Sequence, residues 1–148
     1  MEGINAITVG KYFYNKNEYF SDIQIQKLTY YAYVWYMVKN SGNKLFEEKP
    51  QAWVHGPVFR TLYNAMKNKS FYSEKFNVIN NTNINYVEII NILDIVYNVY
   101  GDYSGNELER LTHLESPWKK ARKNLEPWER SEEELDDDEI MKCYGHSG

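Results

Sequence analysis

The segment from residue 22 to residue 40 restricts the fold more than any other part of the chain. Its apolar side chains recur at spacings of three and four, the period of a helix with one buried face; they are Leu28, Tyr31, Ala32, Trp35 and Val38. Gly42 follows and suits the left-handed residue that ends many helices. The pattern therefore predicts a long helix whose apolar face other helices must cover.

Further helices are predicted from similar apolar patterns and from capping signals. Glu88 stands three residues after Asn85, and Glu107 three residues after Ser104, so both pairs have the spacing of a capping box. Pro57 suits the first turn of a helix, where its missing N–H costs nothing. The remaining predicted helices cover about residues 5–15, 57–69, 85–100 and 104–113, then a short one after Ser116-Pro117 and a last one beginning within 136–139.

Two short stretches do not fit a helix. Pro50 excludes a helix interior, so residues 51–54 form either one extended strand or a buried loop. The Asn-rich region 71–83 could hold a short extended piece near 76–79. We therefore predict a mainly α, compact single-domain bundle of about six to eight helices over residues 1–148, with at most a small β element near residues 50–55 and 76–79.

Composition indicates a cytoplasmic protein. The 148 residues contain one cysteine, Cys143, so no disulfide can form within the chain and a reducing compartment is expected. The longest aromatic-apolar stretch, residues 28–38, is too short to span a bilayer, so we expect no membrane partner. The chain also begins without a basic segment followed by an apolar run, which argues against a signal peptide.

Charge is unevenly distributed. Residues 129–139 form an acidic segment with eight acids and one arginine, and it leads into the short C-terminal helix. Residues 1–128 hold 13 acids and 15 lysines plus arginines, a near-neutral balance. The only basic run, Lys119, Lys120, Arg122 and Lys123, is expected to be a solvated helix face. These features argue against direct nucleic-acid binding, which needs a stronger clustered basic excess.

No motif for catalysis, cofactor binding or metal binding stands out. The three histidines, His55, His113 and His146, are isolated, and Cys143 with His146 has no second ligand pair. There is no nucleophile elbow, phosphate loop, dinucleotide fingerprint or zinc-protease helix. We expect no enzyme activity, no cofactor and no metal, although a triad using Thr112 with a histidine and a carboxylate stays open as the lesser hypothesis.

Three ordered segments carry a family resemblance. The first is Gln26 to Ala32 followed by Trp35; the second is Pro50 to Val58 followed by Tyr63; the third runs from Tyr97 through Tyr100-Gly101, Tyr103-Ser104 and Leu111-Thr112-His113 to Pro117-Trp118. Together they resemble the Panacea domain of the phage-associated GepA proteins and the SocA antitoxin. The resemblance covers about residues 6–144, which is nearly the whole chain.

The resemblance implies an antitoxin of a bacterial or prophage toxin–antitoxin pair. Such a protein neutralises a cognate toxin, encoded by the adjacent gene, by binding it directly. Two other mechanisms stay open: an adaptor that delivers the toxin to an AAA+ protease, and an enzyme that reverses the toxin's effect. The identity of the toxin, the interface and the oligomeric state do not follow from the sequence.

The family-motif residues are expected to be mainly structural: Tyr31, Ala32, Trp53, His55, Gly56, Pro57, Val58, Tyr63, Thr112, His113, Pro117 and Trp118. Trp53, Pro57 and Tyr63 indicate a packed corner. Gly56 indicates a backbone conformation, or a close approach of another group, that a side chain would prevent. His55 is either a buried hydrogen-bonding residue or part of a recognition pocket. His113 near a helix C-terminus would interact well with the helix dipole if protonated, and Trp118 is expected to fill the core.

Toxin contacts are expected outside these motifs. Glu132, Glu133 and Glu134 could face a basic toxin surface, or could belong to a solvated tail before the last helix. Asn80 and Asn81 lie in the most irregular region, and loops on a rigid scaffold often carry recognition. Both sets are hypotheses for the interface.

Overall fold

The computed structural model describes residues 3–73, 79–80 and 84–145. Within these ranges the chain is mainly α, as predicted, with one two-stranded antiparallel sheet. The elements are α1 (Ala6–Lys16), α2 (Asp22–Lys39), β1 (Gln51–Trp53), β2 (Gly56–Val58), α3 (Arg60–Met66), α4 (Ser70–Ser73), a 3₁₀ turn (Ile84–Tyr86), α5 (Val87–Tyr100), α6 (Gly105–Leu114), α7 (Ser116–Ala121) and α8 (Asp137–Gly145). The helices of this described part do not include one long and apolar enough to cross a membrane.

Helix α2 is the centre of the molecule. It packs against α1, α5, α6, α8 and β2. Its residues 25–34 are all buried, so the helix is enclosed on every side over this stretch, and the predicted single stripe understates the contact. Trp35 and Val38, two members of that stripe, are only half-buried. The tyrosines explain why the helix is buried on more than one face, because their rings fill the core while their hydroxyls reach polar partners. Tyr33, for example, donates to Asp137 at 2.8 Å.

Local capping signals place several helix ends. Ser21 and Ser104 each form a reciprocal capping box, which begins α2 and α6. Gly42, at φ +91°, takes the left-handed conformation predicted for it. The cap position predicted at Asn85 is wrong: a 3₁₀ turn precedes α5, and Tyr86 stands at the cap position, where it makes no capping hydrogen bond from its side chain. Asn85 lies inside the 3₁₀ turn, which leads directly into α5.

The predicted extended stretch is half of a hairpin. β1 pairs with β2 in the register Gln51↔Val58, Ala52↔Pro57 and Trp53↔Gly56. Pro57 therefore lies in a strand, and the prediction that it opens a helix is wrong; α3 begins at Arg60. The proline fits because the backbone N–H of its partner Ala52 points away from β2 and donates to the Glu133 carbonyl at 2.7 Å. No ladder hydrogen bond is needed from residue 57.

Part of the acidic segment adds to this sheet. Besides the bond from Ala52 to Glu133, the Leu135 N–H donates to the Pro50 carbonyl at 2.9 Å, and Gln51 and Glu134 form an isolated antiparallel bridge. Leu135 is fully buried. Residues 133–135 are thus fixed beside β1, and the solvated-tail interpretation is wrong for them. The second β element expected near residues 76–79 falls largely outside the described residues; of these four, only Ile79 is described, and it is buried.

Candidate functional site

The three family motifs meet beneath the hairpin turn. Gly56 has φ +111°, and a Cβ built on it would lie 2.7 Å from Lys27 Cε and 2.9 Å from Thr112 Oγ1. Lys27 belongs to the first motif, Gly56 to the second and Thr112 to the third. The expected close approach at Gly56 is therefore confirmed, and it is the point at which α2 and α6 support the turn.

Helix α2 also covers the outer edge of β2. The Gln26 side chain accepts from the Phe59 N–H at 3.0 Å and donates to the Phe59 carbonyl at 3.1 Å. Lys27, fully buried, donates from Nζ to the Pro57 carbonyl at 3.4 Å. Burial lowers the pKa of Lys27 to about 8, against a smaller raising effect of Glu109. These two side chains leave the β2 edge without free backbone groups at residues 57 and 59.

A methionine at position 27 is expected to change how stability depends on pH. The pKa of Lys27 is about 8 in the folded chain and ordinarily 10.5, so between these values the folded state has lost a proton that the unfolded state keeps. Stability conferred by position 27 therefore rises from pH 8 to pH 10.5, by about 3 kcal/mol in all. Lys27→Met should remove this rise.

The measurement is urea unfolding of the two proteins from pH 7 to pH 10.5. The difference between their free energies of unfolding isolates Lys27, because the tyrosines titrate in both. Lys39→Met, an exposed lysine of the same helix, controls for the loss of one side-chain amine. A difference between Lys27→Met and the unchanged chain that stays constant over this pH range would contradict the assignment.

His55 lies at the exposed tip of the hairpin. Its side chain is 70% exposed, and Nδ1 lies 3.1 Å from Glu109 Oε1 on α6. The hypothesis that His55 is a buried hydrogen-bonding residue is therefore wrong; its alternative, a place in a recognition pocket, stays a prediction. Glu109 was not singled out from the sequence, because nothing in its helical position indicates a partner from another element.

His113 and Trp118 form the support on the other side of the turn. Their rings stack with centroids 3.8 Å apart and 9° between planes, and Trp118 Nε1 donates to the Trp53 carbonyl at 2.8 Å. Burial lowers the pKa of His113. His113 does lie in the last turn of α6, as predicted, but the lowered pKa disfavours the protonated state in which it would interact with the helix dipole. Trp118 is half-buried and packs against the core from the edge of the molecule.

Trp53, Arg60 and Tyr63 form the outer face of the hairpin. The Trp53 and Tyr63 rings meet edge-to-face at 4.8 Å, and the Arg60 guanidinium lies 5.0 Å from the Trp53 ring. The packed corner is thus present, although Tyr63 keeps 37% of its surface exposed. A cleft of about 510 Å³ lies on this face, between the hairpin and Arg130. Partly exposed tryptophan, tyrosine and arginine are the residues that most often dominate protein interfaces.

Arg122 holds the acidic segment against the sheet. It is 5% exposed and donates to the backbone carbonyls of Ala52 at 2.9 Å, Glu126 at 3.2 Å and Glu129 at 2.5 Å. The expectation that the basic run is a solvated face is therefore wrong for Arg122. A buried guanidinium with several carbonyl acceptors keeps its charge hydrogen-bonded.

The other predicted residues divide between core and surface. Tyr31, Ala32, Pro117 and Val58 are buried, and that their roles are structural stays a prediction. Glu132, Glu133 and Glu134 are exposed, and Glu132 pairs with Arg60. Asn80 is half-buried, and Asn81 lies outside the described residues, as does His146.

One half-buried carboxyl group could not be recognised from the sequence. Glu115, between α6 and α7, accepts hydrogen bonds from the hydroxyls of Tyr31 and Tyr144, each at 2.7 Å. Burial raises the pKa of Glu115, and the two hydroxyls oppose that rise. Glu115 thereby connects α2 with α8. In the described ranges no three His, Cys, Asp or Glu side chains gather so that they could hold a metal ion.

Comparison with known protein families identifies the family of the chain. A family model described as antitoxin SocA-like, Panacea domain, matches residues 25–119. The matched range begins in α2, includes the hairpin and ends within α7; the acidic segment and α8 lie beyond it. No curated protein and no solved structure matches the chain.

Proposed function

The chain belongs to the SocA-like Panacea-domain antitoxin family, and from this premise we propose that it neutralises a cognate protein toxin by direct, stoichiometric binding. Family membership is the observation that carries the proposal. The toxin is the product of the adjacent gene, and the complex forms in the bacterial cytoplasm. Neutralisation consists of covering the toxin's active surface, so it requires no reaction by the antitoxin.

The hairpin face supports a binding role. Its inner side rests on Lys27, Thr112 and Trp118, so the turn is held in place before any partner arrives. Its outer side presents Trp53 and His55 next to a cleft of about 510 Å³. A rigid surface loses little conformational entropy on association, which favours tight binding.

We propose that residues 1–148 act as one Panacea-like domain. Helices α1 and α8 lie outside the range that the family model matches, yet both pack against α2. Tyr144 on α8 shares the Glu115 carboxylate with Tyr31 on α2. The terminal helices therefore complete the same core.

The acidic side chains of the interface are tested by charge reversal. Changing Glu132, Glu133 and Glu134 together to lysine should weaken toxin binding by about tenfold or more, mainly through slower association at low salt. The control changes three exposed acids elsewhere, Glu18, Glu88 and Asp102, to lysine, which alters net charge equally. Titration calorimetry against the adjacent gene's product measures both affinities.

Equal affinity of the two triple variants would remove residues 132–134 from the interface. The Asn-rich region is tested separately, by replacing residues 80–83 with a Gly/Ser stretch. Full affinity after that change would remove Asn80 and Asn81 as contacts.

Loss of the toxin from cells only when an AAA+ protease is present would indicate an adaptor in place of a direct inhibitor.

A further inference from the structure

The small sheet has one covered edge and one open edge. Its order is β2, β1, then residues 133–135. On the β2 side, Gln26 and Lys27 bind the outward backbone groups of Phe59 and Pro57. On the other side the last strand is the acidic segment, and no helix of the described chain donates to or accepts from its outer backbone atoms at Glu134.

The open edge has defined backbone geometry. In the antiparallel bridge between Gln51 and Glu134, the flanking residues exchange the hydrogen bonds, so the Glu134 N–H and C=O point away from β1. Among the described residues neither group has a hydrogen-bond partner. An unpaired N–H and C=O on a fixed strand form a template for another extended chain.

A groove lies beside this edge. Its volume is about 530 Å³, within the usual size of ligand clefts, which is about 300–1,000 Å³. Glu133, Glu134 and Asp136 line one side, and Pro117, Ala121 and Lys123 in and just after α7 line the other. The groove therefore offers space next to a strand that lacks its outer neighbour.

The charges of the edge select the occupant. Glu132 pairs with Arg60 and Glu139 with Lys120, but Glu133, Glu134 and Asp136 take part in no ion pair among the described residues. Lys123 in the groove lining has no ion pair in the described chain either, so the acids remain in excess. A second copy of this chain would place the same acids against one another, which is unfavourable between neighbouring strands. An extended segment with lysine or arginine side chains would be attracted instead.

We propose that a basic, extended segment of the partner toxin adds as a strand to the open edge of residues 133–135. The inference rests on the proposed function, because the toxin supplies the segment. Backbone hydrogen bonds to Glu134 provide affinity, and the carboxylates of Glu133, Glu134 and Asp136 choose basic side chains at the flanking positions. In this arrangement, residues beyond the matched range contribute to recognition.

The test compares two substitutions at one position. Glu134→Pro removes the outward N–H, while Glu134→Gln removes the same charge and keeps the N–H. Neither affects the Glu133 carbonyl or the Leu135 N–H, which hold the strand to β1. With the adjacent gene's product as the probe, Glu134→Pro should bind at least about tenfold more weakly than Glu134→Gln. Equal affinities would overturn strand addition.

Hydrogen exchange on the unchanged chain gives a second readout that does not depend on the folding of a variant. The Glu134 amide should exchange rapidly in the free protein and be protected at least about tenfold in the complex. A Glu134 amide that exchanges equally fast in both would overturn the inference while leaving toxin binding intact. Failure of the unchanged chain to bind the probe at all would overturn the proposed function, and the inference with it.

Discussion

Replacing Arg122 with methionine is expected to lower the free energy of unfolding by about 3 kcal/mol. The guanidinium is the hydrogen-bond donor for the carbonyls of Ala52, Glu126 and Glu129. Methionine keeps much of the side-chain volume but leaves these acceptors unpaired in a buried site. The segment that carries the acidic edge should then separate from β1.

Chemical unfolding and hydrogen exchange measure the two effects. Exchange of the Leu135 amide, which donates to Pro50, should accelerate with Arg122→Met. Lys123→Met is the matched control, because Lys123 follows in the same basic run and is exposed; its change should stay within about 0.5 kcal/mol. Equal stabilities of the two variants would show that Arg122 does not hold the segment.

Replacing Gly56 with alanine is expected to lower the free energy of unfolding by about 3 kcal/mol and to disturb the hairpin face. Two causes add: the backbone has φ +111°, which an L side chain adopts with strain, and the new Cβ meets Lys27 Cε at 2.7 Å and Thr112 Oγ1 at 2.9 Å. Because Lys27 is fully buried, its terminal carbons have little room to move aside.

Gly42→Ala separates the two causes. Gly42 also has a positive φ, +91°, but a Cβ there meets nothing within 4 Å. In Gly42→Ala the free energy of unfolding should fall by only about 1 kcal/mol, because backbone strain is then the only cause. Thermal unfolding of both variants gives the comparison. A loss at Gly42 as large as that at Gly56 would mean that the contact with Lys27 and Thr112 contributes nothing.

Local signals in the sequence predicted much of the fold. The periodicity of residues 22–40 predicts α2, and Ser104 with Glu107 predicts the start of α6, because helix periodicity and capping depend only on neighbouring residues. The wrong prediction that Pro57 begins a helix has a physical reason. A residue without an N–H suits the first turn of a helix and a strand position without a ladder bond equally well.

The long-range contacts could not be predicted in the same way. Arg122 looks like any member of a basic run, and only the path of residues 126–135 makes it a buried donor. Lys27 and Glu115 are likewise charged residues whose burial depends on elements far along the chain. Residues 133–135 pair with β1, but their sequence shows no alternation of apolar and polar side chains that would predict a strand. An acidic tail was therefore the natural interpretation.

The central claim is neutralisation of a toxin by stoichiometric binding, and titrated co-expression tests it most directly. The adjacent gene is expressed at a fixed level in bacteria while this chain is titrated from a second promoter, and growth is recorded with the amounts of both proteins. We predict that the adjacent gene stops growth and that rescue requires about one antitoxin chain per toxin chain or a fixed multiple of it. Full rescue by trace amounts of this chain, or a neighbouring product without toxicity, would contradict the account.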